Sequence, residues 1–269
     1  MIIDLHTHIF PTKIAKRTIE YLSKKGGIPP FSDGEADGLI RKMTEAGVDI
    51  AINLPVVTDP AQFESVNRFA AEINETYRDK ERRIISFGGI HPACEDVFGK
   101  MRQIKEQGML GVKIHPDYQQ TFIDDDGYVE ILSAAKELDL IVVTHSGVDG
   151  GYLGQPVRCT PERAARLIDR VGHEKFVLAH MGANEMEDGV LEFLCGKNVY
   201  FDTAYVLQNI KEEKFKAILE MQGEDRILFA SDSPWGDMTQ DVKRIKKYKL
   251  GKETENKIFY GNAEKLLGI

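Results

Sequence analysis

Eight short apolar and β-branched runs, each followed by a longer stretch of helical periodicity, restrict this chain to a few α/β architectures. The runs are MIIDLH at the start, VDIAINLP (48–55), RIISFGGIHP (83–92), LGVKIHP (110–116), LIVVTHSG (140–147), KFVLAHMG (175–182), NVYFDTA (198–204) and RILFASDSPW (226–235). Their near-continuous apolar character is that of strands covered on both faces, as in a parallel sheet flanked by helices. The segments 63–80, 128–139 and 160–172 repeat apolar residues every three or four positions and read as amphipathic helices. Thr160 before Pro161 predicts an N-cap with a first-turn proline, and Gly172 predicts the stop. The chain has 269 residues, no low-complexity linker and no internal repeat, so a single (β/α)8 barrel domain over 1–269 is expected. An open doubly wound sheet is the competing architecture. It calls for a glycine-rich phosphate loop after the first strand, where His6-Thr7-His8 stands instead.

A net charge of -8 opposes a broad nucleic-acid or anionic-membrane surface, because those partners require clustered Lys and Arg. A small-molecule substrate is the expected partner, with a homodimer as the expected assembly. Cys94, Cys159 and Cys195 are odd in number and widely spaced, so free thiols are expected. The start lacks the pattern of a secretory signal, and no run approaches the ~20 apolar residues of a membrane span. These features predict a cytoplasmic location.

Six of the seven histidines carry the chemical information: His6, His8, His91, His115, His145 and His180 all fall at the C-terminal end of a predicted strand, and only His173 does not. In a barrel those ends open on one face, where active sites of this architecture assemble. His6 and His8 are two apart on a strand and so share a side. Neutral imidazoles bind zinc and similar divalent ions, and an open site adds a position for water. Asp232, ending the last strand beside the first, supplies a carboxylate for the metal or for proton transfer. A single strand-end histidine is more often a hydrogen-bonded packing residue. Joint placement of so many with Asp232 favours a shared metal site, because each buried imidazole otherwise needs its own partner.

The pieces IDLHTH, GVKIHP (111–116), VTHSG (143–147), CTPERAARLI (159–168), VLAHMG (177–182), FASDSPW (229–235) and GNAEKLLGI (261–269), in that order, resemble the amidohydrolase superfamily. The similarity is to its amidohydrolase-related branch, which includes enzymes like aminocarboxymuconate-semialdehyde decarboxylase, and it covers nearly the whole chain. The resemblance implies that His6, His8, His145 and Asp232 bind a divalent metal, usually Zn2+, as one or two ions. It implies that His180 acts in catalysis in mononuclear members and binds a second metal in binuclear ones. Asp232 and His180 are then the proton donors and acceptors.

On the fourth predicted strand, Lys113 and His115 share a face. Lys113 is either a carboxylated bridge between two metals or a buried cation paired with a carboxylate such as Asp4. His115 is a candidate for substrate or second-metal contact, against a structural role in its H-P turn. Asn53, His91, Tyr118 and Arg158 lie at or just beyond strand ends and are candidates to meet a substrate carboxylate or carbonyl, against a reading as solvated loop residues. Arg158, in the long loop from His145 to Thr160, is the candidate for pairing with an anionic substrate, and that loop is a candidate lid. Pro234 and Trp235 are expected to wall the pocket.

The first functional expectation is hydrolysis of a small lactone, ester or amide by a metal-activated water. The alternative is non-oxidative decarboxylation of an unsaturated or aromatic acid, a lyase reaction that the same ligands support. A TatD-type nuclease is opposed by GVKIHP, which lacks a ligand glutamate, and by the net charge. A non-catalytic barrel is opposed by the complete ligand set.

Overall fold

The computed structural model describes residues 1–269. Its strands β1 (Ile3–Thr7), β2 (Ile50–Asn53), β3 (Arg83–Ser86), β4 (Gly88–Gly89), β5 (Gly111–Ile114), β6 (Ile141–Thr144), β7 (Phe176–Leu178), β8 (Tyr200–Asp202) and β9 (Ile227–Leu228) are parallel and follow chain order. β3 and β4 are two pieces of the third predicted strand. The ladder continues across the break, since the Phe87 N–H donates to the Asn53 carbonyl at 2.9 Å.

The first and last strands close the sheet. The Leu5 N–H donates to the Phe229 carbonyl (2.9 Å), the Asp232 N–H donates to the His6 carbonyl (2.8 Å), and Thr7 bridges Ser233 in parallel. Closure gives the eight-stranded (β/α)8 barrel and rules out the open doubly wound sheet.

Helices α1 (Thr12–Gly26) and α2 (Ala36–Ala46) both lie between β1 and β2, followed by α3 (Phe63–Tyr77), α4 (Val97–Glu106), α5 (Asp126–Glu137) and α6 (Pro161–Val171). The ends of α6 are as its sequence predicts. The Thr160 side chain accepts from the Arg163 N–H at 3.4 Å, and Gly172 takes a left-handed φ of 60°. One apolar core lies between strands and helices and includes Met43, Ile84, Ile131 and Phe215. A second fills the barrel with Leu5, Ile52, Phe87, Val143, Val177 and Leu228. With the interior plugged by these side chains, space for a ligand remains at the strand C-termini. No helix is long and apolar enough to cross a membrane.

Candidate metal centre

Strand alternation alone would put Asp4 and His6 on one side of β1, but the β1–β2 register slips between Asp4 and Thr7, where Asp4 opposes Ala51 and Thr7 opposes Asn53. An irregularity of this kind re-aims side chains next to a site. Asp4 turns to Ser231, whose N–H and hydroxyl both donate to its carboxylate, while His6 and His8 enter the cavity at the barrel mouth. Lys113 is therefore not the partner of Asp4. Its Nζ lies 3.0 Å from His6 Nε2, and burial lowers its pKa to about 8.

His180 and Asp232 are aimed by another device. Both are non-glycine residues with φ of 63°, and Met181 and Tyr205 share the left-handed region at 53° and 65°. Such conformations cost about 1–3 kcal/mol each and persist where the surroundings impose them, often at functional sites. Three of the four line the same cavity.

Proton accounting defines what this cavity can hold. His6 Nδ1 donates to Asp202 Oδ2 (2.9 Å), His8 Nδ1 to the Leu54 carbonyl (2.9 Å) and His180 Nδ1 to the Ala204 carbonyl (2.8 Å). With the proton on each outer nitrogen, each inner Nε2 presents an unprotonated lone pair, which in His6 also faces Lys113 Nζ at 3.0 Å. The inner nitrogens of His6 and His8 are 3.2 Å apart, and Asp232 Oδ1 is 3.5 and 3.1 Å from them. Donors bound to one tetrahedral ion at about 2.0–2.1 Å stand roughly 3.3 Å apart, so the trio has the spacing of a ligand set.

His145 does not join that trio; it meets His180, with Nδ1 2.9 Å from His180 Nε2. With its proton on Nδ1 it donates to His180, which leaves its own Nε2 and Asp117 Oδ2, 3.9 Å away, both buried without partners. With the proton on Nε2, that N–H faces Asp117, and two lone pairs confront each other across 2.9 Å. A cation between them converts that repulsion into two ligand bonds. Burial first, then nearby positive groups, holds the pKa of His6 and His145 well below 6.5, and burial also lowers that of His180, so all three are neutral donors. The donor set fits a divalent metal.

His115 also lines the cavity. Its ring stacks on His145 (centroids 4.2 Å, 6° between planes) and on Tyr118 (3.9 Å, 19°). His115, His145 and Asp149 form a second group whose ligand atoms all lie within 4.8 Å of one another, with His115 Nε2 3.4 Å from Asp149 Oδ2. The stacked His115 ring also forms part of a flat aromatic wall. Trp235 also lines the cavity. Neither Asn53 nor Arg158 reaches it. The Asn53 amide accepts from the Ile9 N–H (3.0 Å) and donates to Ser86 (2.8 Å), tying strand ends together. Arg158 turns to Asp117 (3.3 Å) and Gln155 (3.4 Å). The loop expected to form a lid contributes Val148–Tyr152 to the wall.

Sequence reasoning missed Asp202. It is fully buried, accepts from His6 Nδ1, and also accepts the backbone N–H groups of His180 (2.9 Å) and Ala204 (3.0 Å). One carboxylate thus orients both a first-strand and a sixth-strand imidazole of the barrel. Its signal was its place at the end of YFD, equivalent to the strand-end histidines. Asp202→Asn is expected to weaken metal affinity by about 10–100-fold, the usual cost of losing an outer partner, in competition with a chromogenic chelator.

The same burial gives the metal-free protein a pH dependence. Burial is the first cause that lowers the pKa of six imidazoles, His6, His91, His115, His145, His173 and His180, below 6.5. Below that pH the unfolded chain takes up protons that the folded chain refuses, so stability falls as pH drops. Four carboxyls oppose this, Asp4 and Asp241 raised to about 7 and Asp117 and Asp202 raised, each by burial, because they hold protons when folded. Six groups against four leave a net loss. Tm of chelator-treated protein is expected to fall between pH 7 and about pH 5.5, read by circular dichroism.

The chain matches the amidohydrolase family model over residues 3–269 and belongs to that family. No curated protein matches it. Among solved structures it is similar to an uncharacterised TIM-barrel protein from Bordetella bronchiseptica, with TM-score 0.77, 16% identity and 99% and 98% of the two chains covered. It is also similar to 5-carboxyvanillate decarboxylase from Novosphingobium aromaticivorans, complexed with manganese and 4-hydroxy-3-methoxy-5-nitrobenzoic acid (TM-score 0.72, 18% identity, 100% and 96% covered). A third is 2,6-dihydroxybenzoate decarboxylase from Rhizobium (TM-score 0.69, 16% identity, 99% and 98% covered). At these identities the likeness establishes the fold.

Proposed function

We propose that this chain is a divalent-metal-dependent, non-oxidative decarboxylase of an aromatic or unsaturated carboxylic acid. The observation that carries the metal part is the convergence of the unprotonated imidazole nitrogens of His6 and His8 with Asp232 Oδ1 at 3.1–3.5 Å. Lyase chemistry is preferred to hydrolysis, the first expectation from sequence, because relatives of this fold are named as decarboxylases of hydroxylated benzoic acids. The cavity suits such acids: apolar side chains and the His115–Tyr118 stack offer flat faces for an unsaturated system beside the metal ligands.

His6, His8 and Asp232 would hold the ion, with the His145–His180 pair adjacent. Held there, a divalent ion would supply Lewis-acid chemistry, drawing electron density toward a substrate oxygen. In the overall reaction the carbon–carboxylate bond breaks, the carboxylate carbon leaves with its two oxygens as CO2, and the electron pair left on the substrate carbon takes up a proton in the carboxylate's place. Asp232 and His180 are the cavity groups assigned to carrying that proton. Asp202 and the Ala204 carbonyl hold the imidazoles in the tautomers this requires.

The test is CO2 release from hydroxybenzoates and muconate-type acids by protein reconstituted with Mn2+ or Zn2+, beside lactone and ester hydrolysis. Metal-dependent CO2 release is expected. Lactone or ester turnover without CO2 would replace the reading with the hydrolase. Metal content per chain decides the role of His180, since one ion assigns it to proton transfer and two make it a ligand.

A further inference from the structure

The cavity is larger than a single-ring acid requires. Its volume is about 850 Å³, near the upper end of the roughly 300–1,000 Å³ that accommodates drug-sized ligands. The excess lies along α1. Ile14, Arg17, Thr18, Tyr21, Leu22 and Lys25 all line it, at spacings of three and one that place them on one helix face. Exposure rises from 1% at His6 to 62% at Tyr21, so the metal ligands form the deep end and α1 forms the mouth.

Besides its two cations, this face carries the apolar Ile14 and Leu22 together with the Thr18 hydroxyl and the Tyr21 phenol. Neither Arg17 nor Lys25 has a carboxylate partner, although the protein carries a net charge of -8. Lys25 is held in place from the other side of the cavity. Its Nζ stands 3.6 Å from the centre of the Tyr152 ring and 5.4 Å from that of Tyr118. The turn bearing Tyr152 abuts the end of α1 closely: a Cβ on Gly150 would stand 3.0 Å from the Gly26 carbonyl, and one on Gly151 3.4 Å from the Lys25 stem. Two cations without carboxylate partners at the mouth, a mixed wall of apolar and hydroxyl side chains, and the metal ligands at the deep end define a cavity with two polar ends.

We propose that Arg17 and Lys25 form a distal anion subsite, and that the substrate is an elongated apolar acid carrying a second anionic group, a carboxylate or a phosphate, at its far end. This rests on the proposed decarboxylase reading only for naming the deep group as a carboxylate. Arg17 offers a fork of donors to the distal group and Lys25 a point charge, while the apolar side chains of α1 cover the body between.

The test uses metal-loaded protein and needs no turnover. Straight-chain α,ω-dicarboxylates of graded length are titrated calorimetrically against monocarboxylates of the same length, with ω-phosphono acids as a third series. Beyond the length that spans the channel, the dianion is expected to bind roughly tenfold tighter than its matched monoanion. The gain is expected to disappear in the R17A/K25A double variant. A gain confined to the phosphono series assigns the subsite to phosphate, and one confined to the dicarboxylates assigns it to carboxylate. Equal affinity of mono- and dianions at every length overturns the proposal, as does a gain that survives R17A/K25A. If the gain is present and no acid releases CO2, the decarboxylase reading fails and the subsite stands.

Discussion

His8→Ala is expected to strip the metal and with it the activity, lowering turnover by more than about 1,000-fold, or about 4 kcal/mol of transition-state stabilisation. His8 supplies one of three inner donors, and its nitrogen is the closer of the two imidazoles to Asp232, at 3.1 Å. Its loss leaves His6 and Asp232, 3.5 Å apart, with Lys113 Nζ 3.0 Å from the same His6 nitrogen. In the variant that ammonium competes for the remaining donors. The effect on affinity is expected to exceed the roughly 10–100-fold assigned to Asp202→Asn, because a direct ligand is lost rather than an outer partner. Elemental analysis after dialysis reads the first part and CO2 release the second. His8 is partly exposed, with 16% of its side chain accessible, so the fold should survive, and an unchanged Tm of the metal-free variant checks this. Full metal retention in His8→Ala would remove the basis of the assigned centre.

The barrel was legible because parallel strands covered on both faces need continuous apolar runs, and the eight runs cover every strand segment except Thr7 at the end of β1. The strand-end histidines were legible for a related reason, since the architecture opens its site at those ends. Aim was not legible. Period-two alternation gives Asp4 and His6 a common side, and only the register slip in β1 separates them. The φ of 63° at His180 and Asp232 leaves no mark on residue type, because histidine and aspartate are both tolerated there without being required. Arg158 illustrates the opposite failure. A loop arginine near a strand end has the chemistry to hold an anion, but buried Asp117 claims it. The cations proposed to meet a substrate, Arg17 and Lys25, sit on a helix whose pocket-facing stripe resembles an ordinary solvated face until the 149–152 turn is seen against it.

Asp232→Asn separates binding from proton transfer and carries the other large effect. Asparagine keeps one side-chain oxygen at the ligand position and tolerates the left-handed backbone that this residue adopts at φ 63°, so neither the turn nor its closing bonds need change. Those bonds are the Asp232 N–H to the His6 carbonyl (2.8 Å) and the Trp235 N–H to the Asp232 carbonyl (2.8 Å). What the amide cannot do is hold and release a proton near neutral pH. A positioned acid or base contributes about 10²–10⁴-fold, so kcat is expected to fall by that order while KM changes little. Metal content measured on the same preparation distinguishes this from ligand loss: retained metal with a collapsed kcat assigns Asp232 to proton transfer, whereas metal and kcat lost together would make it a ligand alone. In the second case His180, whose Nδ1 is already committed to the Ala204 carbonyl, is the remaining cavity group to which the proton was assigned. His180→Gln removes the other group assigned to the proton, so it is expected to lower kcat in both cases, and by the larger factor when Asp232 is a ligand alone.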